Sequence, residues 1–187
     1  AVQKGSLLTF PKTFDCDSVS IRRSNHFFRS LVQYSNDSLL MVSKDGAYLS
    51  DYTDFFSYHE EMDFFQSSLR DVIKVSDRTF VFASETEGVM LQLGDEFYNI
   101  KKTEGLISNN IRQILVGDGK LFAVSNKGVS IINEKGEIKN ISDKNYLASS
   151  SINDVFYRND TLWIATILGV EELPLKNLEN DAFPIYI

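Results

Sequence analysis

Leu121-Phe122-Ala123-Val124-Ser125-Asn126-Lys127-Gly128-Val129 is one of four versions of the same segment in a chain of 187 residues. The others begin Leu39-Leu40-Met41-Val42-Ser43, Phe80-Val81-Phe82-Ala83-Ser84 and Leu162-Trp163-Ile164-Ala165-Thr166. Each is an apolar run ending in Ser or Thr, followed after two or three residues by Gly. Those glycines, with Gly5 before them, give a series: Gly5, Gly46, Gly88, Gly128 and Gly169 stand 41, 42, 40 and 41 apart. A second register keeps the same period. Phe28, Leu69, Ile111 and Ile152 are separated by 41, 42 and 41 residues, and three positions after each comes Leu31, Val72, Ile114 or Val155. A period near 40 residues is the signature of a repeat architecture, and it has to be settled before any single element is read.

Within one period the pattern resolves into four short strands. The first carries the anchor pair, Ile111 and Ile114 in the third repeat. Because side chains alternate along a strand, a spacing of three predicts that the two lie on opposite faces and that both faces are buried. A polar turn follows, such as Gly117-Asp118-Gly119 or Arg158-Asn159-Asp160. The second strand is the apolar run, and the periodic glycine supplies a tight turn where φ is positive and a Cβ would be crowded. Met90–Leu93 and Val129–Ile132 read as third strands, Phe97–Lys101 and Ile138–Ile141 as more polar fourth strands. No segment has a sustained helical period with caps. About 40 residues holding four antiparallel strands make the blade of a β-propeller, with the first strand innermost.

The expected fold is therefore all-β, built of propeller blades of four antiparallel strands. Counting from the glycines gives about four and a half blades: a half blade over 1–24, then blades at about 25–65, 66–106, 107–147 and 148–187. Such a count closes no ring of the usual kind. The expectation is a partial propeller covering 1–187, a fragment of a larger one, whose end blades present apolar faces to neighbouring blades or to a homodimer partner.

Composition excludes several function classes. A formal charge of −7 repels phosphate backbones, so nucleic acid is not an expected partner. No apolar run reaches the roughly 18 residues of a membrane span, and no membrane contact is expected from this segment. Cys16 is the only cysteine, which rules out a disulfide framework and a Cys-rich zinc site within the chain. No cofactor and no metal are expected.

Two segments carry a more specific resemblance. Gly105-Leu106-Ile107-Ser108-Asn109-Asn110-Ile111, and Leu162-Trp163-Ile164-Ala165-Thr166 followed by Gly169-Val170, resemble the two-component regulator propeller repeat. That repeat runs approximately Gly-Leu-Pro-Ser-Asn-x-Val, then Asp-x-x-Gly-x-Leu-Trp-Ile-Gly-Thr, then Gly-Leu. Ala165 stands for a Gly of the pattern, Phe122 for its Trp and Ser125 for its Thr, and the first two blades diverge further. The resemblance implies the periplasmic sensor region of a Bacteroides-type hybrid two-component system, which senses carbohydrate and signals to a histidine kinase. A kinase, receiver or DNA-binding segment is not present. The alternative is a structural or protein-interaction propeller with no small-molecule ligand, because a fold does not fix a function.

Candidate site residues are few. Arg29, Arg70 and Arg112 each follow an anchor by one position, with Asn153 in the fourth repeat, so equivalent positions on adjacent blades would ring one region near the channel. Clustered guanidinium groups suit a carboxylate or sulfate on an acidic sugar. The structural alternative pairs each with Asp71 or Asp154. Phe55, Phe56, Tyr58, His59, Phe64 and Phe65 crowd the outer part of the first full blade, where blade packing, a partner surface and sugar contact compete. His26 and His59 lack metal-spaced partners. Ser67, Ser108 and Ser150 sit in polar turns without a nucleophile motif, so no catalytic residue is expected and the segment is not expected to be an enzyme. Trp163 occupies the column of Leu40, Val81 and Phe122, which reads as core.

Overall fold

A computed structural model describes residues 5–9 and 20–179, with side chains from 25 to 178. Cys16 lies outside the described residues. Strands β1 (Gly5–Thr9) and β2 (Ser20–Ser24) form a two-stranded antiparallel sheet. Three four-stranded antiparallel sheets follow in simple meander order. The first holds β3 (Phe28–Ser35), β4 (Ser38–Ser43), β5 (Gly46–Ser50) and β6 (Phe55–Ser57). A one-turn helix, α1 (Asp63–Gln66), leads to β7 (Leu69–Ser76), β8 (Thr79–Ser84), β9 (Val89–Leu93) and β10 (Glu96–Ile100). The third sheet is β11 (Ile111–Gly117), β12 (Lys120–Ser125), β13 (Gly128–Ile132) and β14 (Ile138–Ile141). The fourth has three described strands, β15 (Ile152–Arg158), β16 (Thr161–Thr166) and β17 (Gly169–Pro174). A short helix, α2 (Lys176–Glu179), follows, and the rest of the expected fourth blade lies outside the described residues.

The core is not one mass but three, each sealed between consecutive sheets. Leu40, Val42 and Ala47 of the first sheet meet Leu69, Val72, Phe80 and Phe82 of the second. Val81, Ala83 and Val89 on the other face of the second sheet meet Ile111, Ile114 and Ala123 of the third. Phe122, Val124 and Val129 meet Ile152, Val155, Leu162 and Ile164 of the fourth. The second strand thus buries alternate residues on its two neighbours, which is why its run is apolar throughout.

The anchor pair behaves differently from the expectation. Leu69 and Val72 pack in the same core, as do Ile111 with Ile114 and Ile152 with Val155. The reason is a β-bulge after each first anchor: pairing runs Leu69↔Ser84 then Asp71↔Ala83, Ile111↔Ser125 then Gln113↔Val124, and Ile152↔Thr166 then Asp154↔Ala165. The extra residue resets the alternation by one position, so a spacing of three returns to the same face. The pair faces the preceding sheet, and the residues after it, Ile73 and Leu115, face the following one.

First strands of successive sheets are joined by side chains at the position after the bulge residue. Ser30 Oγ lies 3.4 Å from Val72 O, Asp71 Oδ2 accepts from Ile114 N at 3.0 Å, and Gln113 Oε1 accepts from Val155 N at 3.2 Å. These bonds place the first strands side by side along a common line, the innermost position of a propeller.

Candidate functional site

The bulge has a second consequence. Its unpaired residue is Arg29, Arg70, Arg112 or Asn153, and a residue expelled from the ladder is free to aim its side chain elsewhere. The structure brings two of the three arginines together on one carboxylate. Arg70 reaches Glu85 Oε1 at 2.5 Å, and Arg29, from the neighbouring sheet, stands 3.5 Å from Glu85 Oε2. Arg29 also donates to Ser68 Oγ and to the Leu69 carbonyl, each at 3.1 Å. The Ser68 hydroxyl donates to Glu85 as well. That hydrogen bond, followed by the two guanidinium charges, holds the Glu85 carboxyl below its ordinary pKa.

Arg112 is exposed and makes no ion pair or side-chain hydrogen bond among the described residues. The cause is legible in the repeat. Glu85 directly follows the Ser that ends the second strand, and the residues at that place in the next two blades are Asn126 and Ile167. No acid is provided where a third and fourth counterion would stand.

The expected counterions are therefore corrected. Neither Asp71 nor Asp154 bonds an arginine: Asp71 accepts from Val72 N and Ile114 N, and Asp154 from Val155 N and the Gln113 amide. A carboxylate one position from the bulge is better placed to satisfy backbone N–H groups than to turn back toward the guanidinium.

A cavity of about 310 Å³, lined in part by Asn126, Lys127, Lys144 and Ser150, opens at the same end of the third sheet as the turn holding Asn126. Sequence reading missed it. Lys127 sits inside the periodic turn and Lys144 in a polar connection 142–151, and only the return of that connection over the sheet joins them. With Asp143 in its wall, the cavity combines two ammonium groups, one carboxylate and several amide and hydroxyl groups.

The aromatic segment divides. Tyr58, Phe64 and Phe65 are buried in the core between the first two sheets, with the Tyr58 hydroxyl donating to Gln92 Oε1 at 2.6 Å, and burial pushes that phenol's pKa up. Phe55 packs on Phe28 with ring centroids 5.4 Å apart, and of the six only Phe56 is largely exposed. Packing accounts for most of the cluster. His59 bonds Glu61 at 2.9 Å and His26 lies 4.0 Å from the Tyr48 ring. Among the described residues no three His, Cys, Asp or Glu side chains gather as metal ligands. Ser67, Ser108 and Ser150 serve their turns, bonding Phe64 O, Asn110 N and Asp143 N. Trp163 is not core: it is 40% exposed, and among the described residues no sheet follows on its face.

No protein-family model matches the chain, and no curated protein does. Solved structures do. The extracellular domain of BT3049 from B. thetaiotaomicron, assigned as a hybrid two-component system, superposes with a TM-score of 0.69 at 17% identity over 82% of this chain. That of BT4673, from the same organism and of the same assignment, gives 0.64 at 16% identity over 80%. This chain spans 24% and 23% of those domains. A virginiamycin B lyase from Staphylococcus aureus gives 0.58 at 12% identity, covering 91% of this chain and 73% of the lyase. One fold thus hosts both extracellular domains of two-component systems and a lyase. Among the described residues no helix is long and apolar enough to cross a membrane. The chain has the β-propeller-like fold of the extracellular domains of B. thetaiotaomicron two-component systems.

Proposed function

We propose that this chain is part of the periplasmic sensor region of a hybrid two-component system, a portion of a larger propeller of which it supplies about four and a half blades. Its work is binding rather than catalysis. Ligand occupancy shifts the packing of propellers against one another, and a histidine kinase reads the shift. The ligand is an anionic carbohydrate, a uronate or a sulfated oligosaccharide.

The observation that carries the ligand reading is the uneven neutralisation of the bulge column. Three guanidinium groups stand on consecutive inner strands with Glu85 as their one carboxylate partner, and Arg112 is exposed with none. Like charges on neighbouring strands repel, so an anion placed there gains from what the fold leaves uncompensated. Arg29 is the structural member of the set, because its guanidinium is already engaged across the blade boundary. Arg70 already holds Glu85 at 2.5 Å, so Arg112 is the recognition member of the set. With a net charge of −7 the attraction is local to this column rather than general to the surface.

Calorimetric titration with uronic-acid and sulfated oligosaccharides, beside neutral ones of equal length, tests the reading. Binding of the acidic set, weakened by added salt and by Arg112→Ala, is expected. No heat from any acidic oligosaccharide returns the column to blade-to-blade packing and favours the interaction propeller.

A further inference from the structure

The outward face of the fourth sheet repeats, residue for residue, faces that elsewhere in the molecule are covered. Ile73 and Leu115 pack against the sheet that follows them, and the next member of that column is Phe156. Val81 and Phe122 lead to Trp163, and Val89 and Val129 lead to Val170. Where a sheet follows, these side chains are in a core; on the fourth sheet Phe156 is 57%, Trp163 40% and Val170 70% exposed. An apolar surface of this kind rarely stays bare in water.

A polar feature states what the cover is. Asp71 uses one carboxylate oxygen for its own strand, accepting from Val72 N at 2.9 Å, and the other for the next blade, accepting from Ile114 N. Asp154 stands at the same place in the fourth sheet. It makes the same local bond, from Val155 N at 2.9 Å, and takes the Gln113 amide on that same oxygen. Its Oδ2 has no partner among the described residues. The face therefore holds the acceptor half of an inter-strand bond whose donor half, elsewhere in this molecule, is the backbone N–H of the second anchor on an innermost strand.

We infer that this face docks a further blade of the same repeat, with Asp154 Oδ2 accepting the N–H of that blade's second anchor residue and Phe156, Trp163 and Val170 closing on its anchor pair. A second copy presenting the same face is disfavoured by charge, since Asp154 and Glu172 on one copy would meet the same carboxylates on the other. The inference specifies the larger-propeller part of the proposed function and is independent of the ligand.

Trp163 is the chain's only tryptophan, so it reports on its own face. The test extends the chain at its C terminus with a second copy of residues 107–147, which contains no Trp and carries its own Ile111/Ile114 pair. In the extended chain Trp163 emission is expected to shift to the blue and iodide quenching to fall severalfold. The appended residues should gain protease protection, and Val170→Arg should restore quenching while leaving the unextended chain's unfolding unchanged; Asp154→Ala should restore quenching too, beyond the loss that its bonds to Val155 N and the Gln113 amide impose on the unextended chain. Shielding that both substitutions leave intact overturns the assigned face and acceptor but not the larger propeller. A protected appended blade with Trp163 still fully quenched overturns both. Shielding already present in the unextended chain, rising with concentration and accompanied by dimers in sedimentation, makes a second copy the occupant and overturns the inference.

Discussion

Gly128 and Gly169 hold the same turn with the same backbone, φ +136° and +131°, but their surroundings differ. A Cβ on Gly128 would run into the Ile141 carbonyl at the end of the fourth strand, whereas Gly169 has nothing within 4 Å. Both positions disfavour an L side chain by about 1–3 kcal/mol through the backbone alone. Gly128→Ala is therefore expected to destabilise by more than Gly169→Ala, read from paired urea unfolding curves; equal losses would mean that the contact with Ile141 is not limiting. Glu85 supplies a pH prediction. Its folded pKa is lowered from 4.5, so the stability it contributes is whole above that value and is lost as pH falls through the folded one. Glu85→Gln should be less stable than the parent at neutral pH, and the gap should close on acidification. A gap that stays constant with pH would show that Glu85 acts through shape and not charge.

At the scale of the element, the first strand decides how blades join. Its bulge puts both anchors on the preceding blade and hands the following position to a side chain that grips the next strand. Asp71→Ala strips the acceptor from Ile114 N, which is enclosed between two sheets, and an unsatisfied buried N–H costs about 1–3 kcal/mol. Ser30→Ala removes only a 3.4 Å contact and should cost clearly less. Chemical denaturation of the two variants separates the cases. Equal small losses would demote the column from tie to bystander.

The whole molecule is a stack in which burial depends on having a neighbour, as in quasi-one-dimensional repeat proteins. Phe122 and Trp163 hold the same column of consecutive blades, 0% and 40% exposed. Phe122→Ala should cost about 3–5 kcal/mol, typical of a large core truncation. Trp163→Ala, on a face that no described sheet follows, should cost clearly less, because much of that side chain is already in water. Thermal or urea midpoints measure both. A large loss from Trp163→Ala in dilute protein would show that its face is covered in solution.

Much of this was determined by sequence alone. The 41-residue spacing of glycines and anchors identified the repeat, the all-β class and the strand order, because period and turn chemistry are local properties that survive without knowing what packs where. The arginine column was legible for the same reason: it is a position in the repeat. Three things waited for the tertiary structure. Both anchors face one way because a bulge, invisible in the alternation of residues, shifts the register. Glu85 is the arginines' counterion because the turn of the second blade lies against the inner strand of the first, a contact between residues 29 and 85 that no spacing rule contains. Trp163 is exposed where Phe122 is buried because burial belongs to a pair of sheets and not to a residue: the same side chain in the same column is core or surface according to whether another blade stands beside it.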